Sequence, residues 1–258
     1  TYNCLKKDFL YLCKKCMSMT IEKAKESYLE RNNFTEMSPK AVFFDMDGVL
    51  FDSMPHHSVA WVKAMNESGL EFSEHEAYMN EGQTGTATIN SVFVLKNGRE
   101  ATEEEKQEIY KLKAHYFEKL NAPETIPYVF DLLKKIKKKG YQLFVVTGSA
   151  QPSLLHSLQD HFPDIFLKEN IISAFDVTRG KPHPEPYLKA LQRAGLEPSE
   201  ALVVENAPLG VKSSSAARIF TIGVNTGPLD TNVLYENGAD LVLDSMHELF
   251  EKWDDFGF

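Results

Sequence analysis

The chain has 258 residues, a formal net charge of −9, 43% hydrophobic residues and 25% charged residues. That length accommodates one large α/β domain or a core with a smaller insert. The acidic balance argues against nonspecific nucleic-acid binding, which needs a basic surface. No stretch reaches the roughly 18 apolar residues that suggest a membrane span.

Residues 1–38 read as an N-terminal extension to which no chemistry is assigned. Phe9-Leu-Tyr-Leu12 is too short for a signal-peptide core and is ended by Lys14 and Lys15, so cytoplasmic residence is expected. Met17, Met19 and Met37 are candidate alternative starts. Cys4, Cys13 and Cys16 all fall in this segment. The Cys13/Cys16 pair lacks the second pair of ligands a structural zinc site wants, so these are read as reduced thiols. Ile21, Ala24, Tyr28 and Leu29 fit one face of a short helix.

From Lys40 the pattern changes. Ala41-Val-Phe-Phe44, Leu143-Phe-Val-Val146 and Ala201-Leu-Val-Val204 are short continuous apolar runs, as expected of strands buried on both faces. Ile219–Ile222, Leu241–Leu243 and Ile171-Ile172 are weaker candidates. Between them lie helical patterns. One runs from Tyr128 to Lys139 with Val129, Leu132, Leu133 and Ile136 on one face and stops at Gly140; another runs from Pro186 to Ala194 with Leu188 and Leu191 and stops at Gly195. Alternating strands and helices predict an α/β fold with a doubly wound parallel sheet.

Residues 55–122 interrupt that alternation. Val59, Val62 and Met65 suggest a helix ending at Gly69. Thr102-Glu-Glu-Glu105 is a capping box opening a long helix with Ile109, Leu112, Tyr116, Phe117 and Leu120 on one stripe. The expected organisation is a core of residues 39–54 and 123–258 carrying an inserted α-helical cap of residues 55–122. Pro55, Pro123 and Pro127 mark its two linkers.

Each strand candidate ends in a polar group: Asp45 after the first, Thr147-Gly148-Ser149 after the second, Glu205-Asn206 after the third, and Lys181 in a Gly/Pro-rich loop after Ile172. A parallel sheet collects these ends on one edge, where ligands of such folds bind. A carboxylate nucleophile, hydroxyl donors, an ammonium and oxygen ligands for a hard cation are what phosphoryl transfer needs. The substrate's negative charge would otherwise repel the attacking carboxylate. Asp47, two residues on and next to Gly48, is placed to pass protons. Mg²⁺ is the expected cofactor, since it takes oxygen ligands.

At these residues the chain resembles the haloacid dehalogenase-like (HAD) superfamily, in the branch with a helical cap after the first strand that includes β-phosphoglucomutases and small-molecule phosphatases. The resemblance covers roughly residues 40–245 and rests on Asp45-Met-Asp-Gly-Val49 with Phe51-Asp-Ser53 behind it. It implies a Rossmann-like core, Asp45 as nucleophile and Mg²⁺ ligand, and Asp47 as acid/base with its main-chain carbonyl on the metal. It also implies phosphate binding by Thr147, Gly148, Ser149 and Lys181. The family's usual Glu-Asp motif is here Glu205-Asn206. Asn206 would keep an oxygen on the metal at the loss of one charge, and Glu205 would act from behind or through water. The mutases' cap loop carries Lys before a Gly and Arg three residues after it; here those positions hold Glu81 and Gly85 in Glu81-Gly-Gln-Thr-Gly85. Glu81 reads either as a ligand that reaches the metal on cap closure and restores the missing charge or as a surface glutamate of a Gly-rich loop. His57, twelve residues after Asp45, sits where the mutase hinge lies and reads either as a residue coupling closure to Asp47 or as a surface histidine at a helix N-terminus. Trp61 is read as cap packing.

Three functions compete: hydrolysis of pyrophosphate or a small phosphate monoester, intramolecular phosphoryl transfer on a sugar phosphate, and non-catalytic binding. The missing cap cations favour the hydrolase, and Glu205-Asn-Ala-Pro-Leu-Gly210 with the Glu81 loop resembles members of the branch that act as inorganic pyrophosphatases, a resemblance that implies inorganic pyrophosphate first. The expected partner is a small phosphorylated substrate, with no nucleic acid or membrane, and the expected state is a monomer.

Overall fold

The computed structural model describes residues 19–149 and 152–258. The three cysteines and Met17 lie outside the described residues. Six strands, β1 (Ala41–Phe44), β2 (Gln142–Val146), β3 (Ile171–Ile172), β4 (Ala201–Glu205), β5 (Phe220–Val224) and β6 (Leu241–Leu243), form one sheet in the order β3-β2-β1-β4-β5-β6. Every pairing is parallel. The continuous apolar runs are explained by burial on both faces. Val42, Phe44, Leu143, Val145, Leu202 and Val204 belong to one hydrophobic cluster, while their alternates Ala41, Phe43, Phe144, Val146, Ala201 and Val203 belong to the other.

Helix α1 (Ile21–Asn32) buries Ala24 and Tyr28 in the first of these clusters. Within the described part of residues 1–38, this helix packs into the main core. Four helices follow β1: α2 (Met54–Glu67), α3 (Glu74–Met79), α4 (Gly85–Asn97) and α5 (Glu103–Glu118). They enclose a separate cluster built from Trp61, Ala64, Met65, Leu70, Phe72, Ile89, Val92, Phe93 and Ile109. The Thr102 capping box opens α5. The two connections run side by side, with Asp52 N–H donating to Glu124 O at 2.9 Å and Ile126 N–H to Leu50 O at 3.0 Å.

The remaining helices are α6 (Val129–Lys138), α7 (Pro152–His161), α8 (Glu185–Ala194), α9 (Pro208–Ala216), α10 (Thr231–Glu236) and α11 (Met246–Lys252). Two stripe assignments change. Val59 on α2 is exposed, and the buried face there is Met54, His57, Ala60, Trp61, Ala64 and Met65. Leu188 on α8 is also exposed; Tyr187, Ala190 and Leu191 face the sheet instead. In both cases the face was chosen by what it packs against, which periodicity alone does not specify. Among the described residues no helix is long and apolar enough to cross a membrane.

Candidate active site

The carboxyl ends of β1, β2 and β4 deliver Asp45, Thr147 and Glu205 to one edge, as the parallel register requires. Asp45 is almost fully buried. Its Oδ1 accepts from Lys181 Nζ at 2.6 Å, and the same ammonium donates to Glu205 Oε1 at 2.6 Å and to Val146 O at 2.9 Å. Burial pushes the Asp45 carboxyl above its ordinary range and the Lys181 ammonium opposes that rise. Burial works against charge on Lys181, yet Asp45 and Glu205 hold it firmly protonated.

Asp47 is held differently. Burial again favours its neutral form, but His57 Nε2 at 3.1 Å and Ser53 Oγ at 2.6 Å, both on Oδ1, keep it below the usual carboxylate range. His57 Nδ1 lies 2.8 Å from Lys113 Nζ. The amine is a donor, so Nδ1 accepts and the ring proton sits on Nε2, aimed at Asp47. Burial lowers the pKa of Lys113 to about 7, and Asp47 offsets part of that. Burial, followed by Lys113, lowers that of His57.

Glu81 reaches the core. Its Oε1 accepts from Asn206 Nδ2 at 2.9 Å, and burial raises its pKa well above normal, with Asp45, Glu205 and Asp47 adding to the rise. This contact depends on Gly48. With φ +80 and a Cβ that would fall 2.0 Å from Asn206 Nδ2, only glycine fits there. Glu205 faces away from the cavity. Its Oε1 accepts from Lys181 and Tyr187 Oη, and its Oε2 from the Asn206 and Ala207 N–H groups.

A cavity of about 60 Å³ is lined by Asp45, Asp47, His57, Trp61, Glu81, Gln83, Gly85, Tyr110, Lys113, Gly148 and Ser149, among others. By the roughly 10–15 Å³ needed per water, it holds a few waters or one compact oxyanion. Of the expected site residues, Asp45, Asp47, His57, Glu81, Gly148 and Ser149 form its wall. Lys181, Asn206 and Glu205 stand behind it through Asp45 and Glu81. Thr147 Oγ1 accepts from Ser149 N–H at 2.9 Å and so shapes the loop.

The donor set fits a hard divalent cation. Asn206 Oδ1 is buried and has no hydrogen-bond partner among the described residues, an unsatisfied oxygen that needs explaining. Asp45 and Glu205 share the Lys181 ammonium, while Asp45, Glu205 and Asp47 all oppose ionisation of Glu81, a crowding of carboxyl groups that a bound cation would relieve. Among the described residues no three His, Cys, Asp or Glu side chains form a ligand group by themselves. A complete set therefore draws on the Asn206 amide oxygen and main-chain carbonyls, which suits Mg²⁺ better than zinc.

Lys113 and Tyr110 were not picked out from the sequence, and Ser53 and Gln83 were read only as members of motifs, with no role of their own. Lys113 left a signal: it falls four residues after Ile109 and four before Phe117, so a lysine interrupts the buried stripe of α5.

A haloacid dehalogenase-like hydrolase family model matches residues 42–224. The chain belongs to that family. It is 48% identical to a solved structure from Bacteroides vulgatus provisionally named a beta-phosphoglucomutase, with a TM-score of 0.88 over 92% of this chain and 96% of that one. Hexitol phosphatase A of Escherichia coli is 32% identical over 83% of this chain and 94% of its own. Pyrophosphatase PpaX of Oceanobacillus iheyensis is 26% identical over 83% and 96%. The chain is thus a phosphatase or phosphotransferase of the HAD type, a family whose enzymes generally use Mg²⁺.

Proposed function

We propose that the chain is a phosphohydrolase working through a phosphorylated Asp45, with inorganic pyrophosphate as its substrate and small phosphate monoesters as the neighbouring class. The observation that carries this is the wall α2–α5 present to the cavity. It combines Glu81, Gln83, Gly85, Tyr110 and the single ammonium of Lys113 around about 60 Å³. A hexose phosphate that must be gripped by a second phosphate finds neither the space nor a pair of cations. A compact leaving phosphate finds Lys113.

On this reading residues 55–122 act as a cap over the core. Asp45 attacks phosphorus through the oxygen not held by Lys181, whose three donors fix Asp45, Glu205 and Val146 O, while Gly148 and Ser149 on the cavity wall bind the transferring oxygens. Both donors to Asp47 meet Oδ1, so proton transfer falls to Oδ2. Asp47, ionised in the resting site, takes up a proton with the arriving anionic substrate, gives it to the leaving oxygen, and then recovers one from the hydrolytic water. Asp45, Glu81, Asn206 Oδ1 and the Asp47 carbonyl would hold Mg²⁺, which when bound supplies the positive charge between carboxylate and phosphate.

The second reading, a sugar-phosphate mutase, is favoured by the provisional name of the Bacteroides vulgatus structure. A substrate panel with Mg²⁺ separates the two. Pyrophosphate is expected to lead in kcat/KM over β-glucose 1-phosphate and hexitol phosphates. Conversion of β-glucose 1-phosphate to the 6-phosphate as the best reaction would overturn the proposal.

A further inference from the structure

The loop after β5 touches both sides of the cavity. On the core side the Thr226 hydroxyl donates to the Gly48 carbonyl at 2.6 Å. Gly48 in turn lies against the Glu81–Asn206 contact: its Cβ position is 2.0 Å from Asn206 Nδ2 and 3.2 Å from Glu81 Oε1. On the insert side, buried Leu229 clusters with Met54 and Tyr78, with Met79 and Val233 packed on them. The Tyr78 ring reaches within 3.4 Å of a Cβ position at Gly227. Tyr78 stands in α3, three residues before Glu81. The loop is anchored to the sheet, since Asn225 N–H donates to Leu243 O at 2.8 Å. Asn225 Nδ2 also donates to Leu229 O and Thr231 Oγ1, each at 3.0 Å.

We propose that residues 225–229 are the landing surface of the cap. Leu229 captures Tyr78 as the cap closes, and Thr226 fixes Gly48, so closure delivers Glu81 to Asn206 in register. Thr226 and Leu229 are positioning residues and contribute nothing to the cavity wall. The apolar Leu229–Tyr78 contact exists only in the closed state and biases closure. The Thr226 hydrogen bond lies within the core, persists when the cap opens, and sets the geometry closure must meet. The proposal rests on the reading of α2–α5 as a moving cap and of Asp45 as nucleophile.

Two measurements test it. The first is steady-state turnover of pyrophosphate with Mg²⁺. The second is Trp61 emission in a Trp253→Phe background, titrated with inorganic phosphate and Mg²⁺, which follows the cap without turnover. Leu229→Ala is expected to raise KM and weaken phosphate binding about tenfold with kcat within about twofold, since it removes an apolar contact made on closure. Thr226→Val is expected to lower kcat about fivefold, the worth of one net hydrogen bond, and Thr226→Ser to recover it. Wild-type kinetics in both Leu229→Ala and Thr226→Val would overturn the proposal. So would a Thr226→Ser as impaired as the Val variant, or losses in melting temperature alone. Asp45→Asn separates the underlying reading: if it retains turnover, the nucleophile is wrong. The landing surface is then judged on the Trp61 titration alone.

Discussion

Asp45 and Asp47 are two residues apart and sit in opposite electrostatic settings. Burial and neighbouring carboxylates raise Asp45 against Lys181, while His57 and Ser53 keep Asp47 ionised. The partners differ accordingly: Lys181 holds Asp45, and His57 and Ser53 hold Asp47. Asp45→Asn keeps the shape of the site and removes the attacking charge. Turnover is expected to fall by at least about a thousandfold with an unchanged far-UV spectrum, as loss of a covalent nucleophile does. Lys113 offers a test with a sign. Its amine has a pKa of about 7 in the folded chain against 10.5 as the ordinary value. Between those values the unfolded chain binds a proton that the native one does not, so stability rises with pH across that window. The unfolding free energy of the wild type from urea titration is expected to climb from pH 7 to 10 relative to Lys113→Met, by at most a few kcal/mol. A parallel pH profile in the two proteins would refute the depressed amine.

At the scale of elements, the strands were legible because both faces are apolar and each run is closed by a polar residue. The positions of Asp45, Asp47, Thr147, Lys181 and Asn206 followed from that rule. The helices were legible in place but less so in face. Val59 and Leu188 turned outward because the neighbours of α2 and α8 claim other residues, and Lys113 was hidden inside an otherwise apolar stripe. The loop between α3 and α4 closes on the core with no spare room. A Cβ at Gly148 would lie 2.3 Å from Gly82 O and 2.9 Å from Gln83 O, both main-chain atoms that have little freedom to yield. Gly148→Ala is therefore expected to hold the cap partly open, raising KM for pyrophosphate about tenfold or more. The Thr147-to-Asp45 core should be undisturbed, as judged by an unchanged melting temperature. Glu81→Gln, which keeps the hydrogen bond to Asn206 possible and removes the charge, is expected to weaken Mg²⁺ activation about tenfold, read as the metal concentration giving half-maximal turnover.

Across the whole molecule, α1 ties the N-terminal region to the sheet. Tyr28 is fully buried, its hydroxyl donates to Arg218 O at 2.9 Å, and its ring meets Phe220 edge-on at 5.4 Å. Arg218 NH2 in turn donates to Asn32 O. Tyr28→Ala is expected to cost about 3–5 kcal/mol, the range for removing a buried aromatic ring. That appears as a drop of several degrees in melting temperature with kcat little changed, since α1 is remote from the cavity wall. The net charge of −9 has a consequence for catalysis. An anionic substrate meets an unfavourable field, so the cations that matter are local: Lys181, Lys113 and a divalent ion.

The sequence by itself determined the alternation of strands and helices, the insertion after β1, and the polar residues that end the strands. Those are properties of local pattern, and a parallel sheet converts them directly into a shared edge. Only the tertiary structure decided which distant groups meet there. Glu81 and Asn206 are 125 positions apart and touch because Gly48 leaves them room. Lys113 reaches His57 because α2 and α5 pack together, and Thr226 reaches Gly48 because β5 ends two strands away from β1. Contacts between elements depend on packing that no local window contains. The position of Asp45 at a strand end was therefore readable, while the shape of the space around it was not.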